Sequence, residues 1–163
     1  MRTVVGVMGA GGVLSASAEE TACRLGRLIA EAGWVLLNGG RDGGVMDASA
    51  RGAREAGGLV VGVLPDADTR RASPHLDVAI RTGIADGRNY VNALSSDVLV
   101  ALPGRAGTLS EVCFALLAGR TVVLVGWDAG PALAEYAELG QLLRVETPEE
   151  SVEAVRAALA REG

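Results

Sequence analysis

The chain reads as an α/β protein: a single-domain, doubly wound, mostly parallel Rossmann-like sheet with helices on both faces. Three observations predict this. Short apolar runs alternate with helical patterns from one end to the other. Several of those runs, such as Leu59-Val60-Val61-Gly62-Val63 and Thr121-Val122-Val123-Leu124-Val125, are apolar at nearly every position. Glycine-rich turns stand between the runs and the helical patterns. A strand covered on both faces has no polar side to present, so it shows a continuous apolar run instead of a period of two. Strand–helix alternation then closes into a parallel sheet between two helical layers. A length of 163 residues suits one domain, spanning 1–163, with a substantial core.

The elements follow in order. The first strand occupies 3–9; Met1-Arg2-Thr3-Val4-Val5 opens a strand, not a secretory leader. Helix 18–32 is announced by Ser17-Ala18-Glu19-Glu20, the spacing of a capping box. Strand 34–38, a glycine turn and helix 45–56 come next, then strand 59–63. Pro65–Leu76 is the longest irregular stretch, readable as a solvated loop or as a lid over a site. Strand 77–81, helix 86–95 and strand 97–102 lead to a second glycine turn and helix 108–118, which begins with another box, Thr108-Leu109-Ser110-Glu111. Strand 121–126, helix 131–138, strand 141–145 and helix 148–161 complete the chain. Thr147-Pro148-Glu149-Glu150 gives the last helix a box and a proline at its first position. Helix 108–118 is apolar almost all round, with Leu109, Val112, Phe114, Leu116 and Leu117, so it is buried on more than one side, either in its own core or against a second copy.

Composition narrows the function. Aromatic residues make up 3% and the net charge is −5, which disfavours stacking platforms and duplex partners, so no nucleic acid is expected. No apolar run reaches the length that spans a bilayer, so a cytoplasmic protein with no membrane partner is expected. Cys23 and Cys113 stand apart and His75 is the lone histidine, so no metal site is expected; Asp66 and Asp68 read as solvated carboxylates. All 15 basic residues are arginine. Without lysine there is no Schiff base for pyridoxal phosphate and no Walker-type phosphate loop.

Ligands of open α/β sheets bind beyond the carboxyl ends of the strands, where glycine turns present backbone N–H groups and helix N-termini. Three turns reach that edge. Gly9-Ala10-Gly11-Gly12 lacks the third glycine of the dinucleotide fingerprint, since Leu14 stands there, and the second strand ends in Asn38 instead of an acid for a ribose diol. It reads as a tight turn beside the ligand. The second turn, Gly39-Gly40-Arg41-Asp42-Gly43-Gly44, is followed by Val45 and Met46; its four glycines let backbone approach a ligand closely. The third, Pro103-Gly104-Arg105-Ala106-Gly107-Thr108, carries the strongest signal, with Thr108 at the N-cap. Glu111 stays open between a chemical role and the back-bonding glutamate of a capping box.

These last two turns resemble the LOG (Lonely Guy) phosphoribohydrolase and molybdenum-cofactor-carrier superfamily, whose members are often mislabelled lysine decarboxylases. The superfamily's PGGxGTxxE motif matches Pro103–Glu111, and its GGGxxGLMG motif matches Gly39–Asp47. Arg88, 23 residues before Glu111, falls where LOG enzymes carry a catalytic arginine. The resemblance implies phosphate or nucleotide binding by Gly39, Gly40, Arg41, Gly43, Gly44, Met46, Gly104, Arg105, Gly107 and Thr108, with Arg88 and Glu111 as the catalytic pair. It also implies a homodimer or higher oligomer. The departures, Asn89 for lysine and Arg41, Arg105 and Asp47 for glycines, are closer to the carrier-like branch. Arg41 and Arg105 either suit a more anionic ligand or pair with nearby acids such as Asp42. The expected function is binding of a phosphorylated nucleotide-like or pterin ligand, with molybdopterin or the molybdenum cofactor as the candidate and no cofactor required. The alternative is a phosphoribohydrolase that cleaves the N-glycosidic bond of a nucleoside 5′-monophosphate.

Overall fold

A computed structural model describes residues 1–162. Seven parallel strands form one sheet in the order β4-β3-β2-β1-β5-β6-β7. The strands are β1 (Val4–Met8), β2 (Val35–Asn38), β3 (Val60–Leu64), β4 (Val78–Arg81), β5 (Val98–Ala101), β6 (Thr121–Val125) and β7 (Leu142–Val145). Each lies within the apolar run that predicts it except β3, which runs one residue beyond 59–63 to Leu64. The helices are α1 (Ala16–Glu31), α2 (Gly44–Glu55), α3 (Arg88–Ser95), α4 (Ala106–Leu117), α5 (Ala134–Glu138) and α6 (Pro148–Glu162). Short 3-10 turns, Ala85–Gly87 and Pro131–Leu133, precede α3 and α5, so the predicted helices 86–95 and 131–138 each begin as a tighter coil.

Alternate residues of the central strands feed two cores. Val5, Val7, Val98 and Val100 meet Leu25 and Ile29 of α1, Ala53 of α2 and Val155 of α6. Met8, Leu99 and Ala101 face the other way, toward Ala93 of α3, Val112 and Ala115 of α4, and Leu133. Each central strand is therefore apolar on both faces, which is why its sequence shows no alternation. The chain winds outward from β1 to β4, then returns to place β5 on the other side of β1. That reversal opens a crevice beyond the carboxyl ends of β1 and β5.

Two of the predicted helix starts shift. The N-cap of α1 is Ser15, whose hydroxyl accepts from Ala18 N–H at 3.2 Å, so Ser17 lies inside the helix. In α4 the N-cap is Arg105 and Thr108 sits in the first turn. Glu111 is thereby one turn too deep to bond back to a cap, and the capping-box reading of this residue falls. The third box is nearly as expected: Thr147 Oγ1 accepts from Glu150 N–H at 3.1 Å, while the Glu150 carboxylate reaches Glu146 N–H at 2.8 Å.

The irregular 65–76 stretch is tied down. Arg41 and Ala72 form an antiparallel bridge, Asp42 N–H donates to Arg71 O at 3.0 Å, and Ser73 N–H donates to Gly40 O at 2.8 Å. Ser73 Oγ adds a 2.6 Å bond to Asp47. These bonds brace the second glycine turn from outside.

Candidate functional site

The three glycine turns meet at the crevice, and Ala10 joins them. Its N–H donates to Pro103 O at 3.2 Å, and its carbonyl accepts from Val45 N–H at 2.9 Å. The first turn is thus the strut between the other two. Gly44 makes the fit possible: its φ is +61°, and a Cβ there would run into the Ala10 carbonyl. Asn38 locks the second turn from below, donating to Met46 O at 2.8 Å and accepting from Gly40 N–H at 2.8 Å. Its side chain is fully employed, so it offers nothing to a ribose.

A cleft of about 350 Å³ opens above these turns. Gly39, Met46, Arg88, Arg105, Gly107, Thr108 and Glu111 all line it. The other expected residues fall elsewhere. Gly40 is buried beneath the turn with φ +72°. Gly43 and Gly44 line a neighbouring depression with Gly11, Gly12 and Asp47. Gly104 faces the Thr108 side chain, against which a Cβ would collide. Arg41 stands in an adjoining hollow near Asp66, Asp68 and Arg70, which meets the cleft at Asp86 and Arg88.

The donors on the cleft wall are specific. The N–H groups of Ala106, Gly107 and Thr108, the first turn of α4, have no acceptor among the described residues. They carry the positive end of the helix dipole into the cleft. Arg105 stands beside them, exposed and without an acidic partner among the described residues. Arg41 differs, since Asp66 holds it at 3.0 Å, while Asp42 pairs with Arg71. Of the two arginines that replace glycines in the motifs, only Arg105 is free for an anion.

Arg88 is more deeply set than its place in a polar turn suggests. Nη1 donates to Gly39 O at 2.5 Å and to Val63 O at 3.0 Å, so the guanidinium clamps the carboxyl ends of β2 and β3. Gly39 must be glycine here, because a Cβ would strike that guanidinium. Burial pulls the pKa of Arg88 down, against the opposing pull of Glu111. Arg88 and Glu111 do not form an ion pair; they face a common space.

Glu111 is 6% exposed, and its pKa is pushed up to about 7. Burial is the main cause; a hydrogen bond from Asn92 and the charge of Arg88 oppose it. Asn92 Nδ2 donates to Glu111 Oε1 at 2.8 Å. Asn89, which stands where the motif has lysine, bonds to Ser110 Oγ at 3.0 Å and pins α3 to α4 at the cleft wall. Sequence alone assigned no role to Asn89, Asn92 or Asp86; Gly9–Gly12, read as a tight turn beside the ligand, line the cleft itself. A spacing of three or four residues along the helix that begins at Arg88 was the available signal for Asn92.

A parallel doubly wound sheet with glycine turns at its switch point defines a class, the Rossmann-like α/β proteins. The chain belongs to the SLOG cluster4 family, whose profile matches residues 2–152, within the wider LOG and molybdenum-cofactor-carrier superfamily. It is 43% identical over 152 residues to an uncharacterized protein of Archaeoglobus fulgidus, covering 91% of each. It is 38% identical over 95 residues to the cytokinin riboside 5′-monophosphate phosphoribohydrolase of Mycobacterium tuberculosis, a match spanning 57% of this chain and 51% of that protein. Among solved structures, the molybdenum cofactor carrier protein of Chlamydomonas reinhardtii superposes with a TM-score of 0.89 at 40% identity, over 98% of this chain and 99% of the other. The molybdenum cofactor binding protein of Rippkaea orientalis gives 0.88 at 39% identity over 98% of both.

Proposed function

We propose that this protein binds a phosphorylated pterin or nucleotide-like anion in the β1/β5 cleft, and that the molybdenum cofactor is the ligand it carries. The observation that carries the reading is the unpaired donor set: three free N–H groups at the start of α4 beside an unpaired Arg105. A phosphate monoester needs such a set, and Arg105 adds a bidentate, charge-assisted contact. The residues fit a phosphate-bearing pterin: the donors take the phosphate, the bare backbone of Gly9–Gly12 and Gly39 leaves room for a flat ring, and Asn89 and Glu111 offer polar edges. Full-length likeness to two proteins described as binding or carrying the molybdenum cofactor supports the same ligand. The cofactor itself would supply redox chemistry to whichever enzyme receives it; this chain contributes binding, orientation and exclusion of water.

A second reading rests on Glu111. A buried carboxyl with a pKa near 7, beside an arginine, is suited to general acid–base work on an N-glycosidic bond. The partial match to phosphoribohydrolases supports it. Calorimetry with isolated molybdopterin, AMP and inorganic phosphate, together with chromatography for free adenine, separates the two. Tight molybdopterin binding without adenine release is the expected result. Adenine release lost in Glu111→Gln would favour the hydrolase.

The protein acts as a homodimer in this reading. Tyr90 and Leu94 of α3 and Leu109 and Leu117 of α4 form an exposed apolar strip, with Leu117 74% exposed. Burial within the chain's own core therefore does not explain the apolar outer face of α4, and a second copy is the proposed cover.

A further inference from the structure

Asn92 is buried with no exposed surface, on the face of α3 that meets α4. Its amide is asymmetric in its bonding. Nδ2 serves Glu111 Oε1 at 2.8 Å, while Oδ1 is buried with no hydrogen-bond donor. A buried acceptor without a partner costs about 1–3 kcal/mol, so it is not retained idly. The ligation of Glu111 suggests why. A carboxylate accepts hydrogen bonds only, whereas a carboxylic acid also donates one. An amide can serve both forms if it turns end for end.

We propose that Asn92 is the positioning residue that holds Glu111 in either protonation state, Nδ2 donating to the carboxylate and Oδ1 accepting from the acid after a half-turn of the amide. The charge setting around Glu111 is simple. The charge of Arg88 on α3 acts on it; Asp86, in the turn before α3, and Arg105, at the start of α4, line the same cleft, to which β1 and α2 present neutral residues. An anion placed against Arg105 and the α4 donors brings negative charge near Glu111, which then takes up a proton in place of repelling the ligand. Asn92 lets that proton arrive with no loss of the carboxyl's position. Ligand capture and proton uptake are thereby coupled at one residue. This consequence rests on the anion-binding reading; the amide switch itself does not.

The switch is read in ligand-free, isotope-labelled full-length protein by NMR. The Glu111 carboxyl carbon should titrate near pH 7, and the side-chain amide resonances of Asn92 should move with the same midpoint. Glu111→Gln should abolish the movement at Asn92. Asn92→Ala and the larger Asn92→Leu, a pair that covers the case of one failing to fold, should each raise the Glu111 midpoint by about 0.5–1 unit, the difference between the stronger bond lost by the carboxylate and the weaker one lost by the acid. Asn92 resonances that stay still while Glu111 titrates, or a Glu111 midpoint unchanged in both variants, would overturn the proposal. Calorimetry with AMP at pH 7 in buffers of different ionisation enthalpy then tests the coupling: uptake of a fraction of a proton supports it, and binding without uptake confines Asn92 to the free protein. If AMP, phosphate and molybdopterin all fail to bind, the ligand reading fails while the NMR result stands.

Discussion

Arg88 on α3 donates to the Gly39 carbonyl at 2.5 Å, so the residue aligned with a catalytic arginine is also a clamp at the end of β2. The same nitrogen reaches Val63 O on β3. Position in a polar turn suggests a residue dispensable for folding, with a loss of at most about 1 kcal/mol on removal. The geometry argues for more. Arg88→Ala should cost about 2 kcal/mol in urea-unfolding stability, since bonds from a charged group are worth about 1.5–3 kcal/mol and two buried carbonyls lose their donor. Arg88→Lys should recover only part of the loss, because a single ammonium has no planar fork. A wild-type midpoint for Arg88→Ala would refute the clamp.

Glu111→Gln should change stability in a pH-dependent way. The folded pKa of Glu111 lies above that of an ordinary carboxyl, near 7 against 4.5. Its contribution is therefore intact below about pH 4.5 and is lost as pH rises through 7. Glutamine carries no charge to desolvate and still accepts from Asn92. At pH 4 the variant should match the parent; by pH 8.5 it should be the more stable, by about 3 kcal/mol. Thermal melts across pH 4–8.5 measure this. Equal curves at both ends would mean that Glu111 titrates like a surface carboxylate.

Arg105→Ala separates binding from folding. The side chain is exposed and free of acids, so stability should shift by less than about 0.5 kcal/mol. Affinity for molybdopterin or another phosphate monoester should fall tenfold or more, one charge-assisted bond being worth about 1.5–3 kcal/mol. Unchanged affinity would move the phosphate away from the start of α4.

Gly44→Ala should damage the site through its backbone. With φ at +61° and a Cβ directed at the Ala10 carbonyl, alanine must either strain or push the first turn away. A loss of about 1–3 kcal/mol is expected, together with weaker ligand binding as the Val45–Ala10 bond breaks. A thermally neutral Gly44→Ala with normal affinity would show that the three turns are not rigidly coupled.

Leu117→Glu, on the outer face of α4, should leave the fold intact and shift the light-scattering mass to that of one chain at micromolar concentration. The parent should run as a dimer. A monomeric parent would leave the apolar strip without its proposed cover.

What the sequence determined by itself was everything that depends on local pattern. Continuous apolar runs such as Val98–Ala101 located the central strands, because a strand buried on both faces has no other way to read, whereas the edge strand β4 is largely exposed. The turns Gly39–Gly44 and Pro103–Thr108 marked the candidate site, because Gly39, Gly44 and Gly104 leave no room for a Cβ beside a helix start. What the tertiary structure alone decided was how groups distant along the chain share one space. Spacing placed Glu111 equally well in a capping box or a cleft; the start of α4 at Ala106 and the approach of Asn92 from α3 put it in the cleft. Motif position named Arg88 but not its grip on Gly39 and Val63, since strand order, not chain order, makes those carbonyls its neighbours. Arg41 and Arg105 read alike as replacements for glycine, and only folding gave one an aspartate and left the other open. Pairing, burial and the shift of a pKa are properties of three-dimensional surroundings, and a one-dimensional pattern carries them only where helix or strand periodicity brings the partners together.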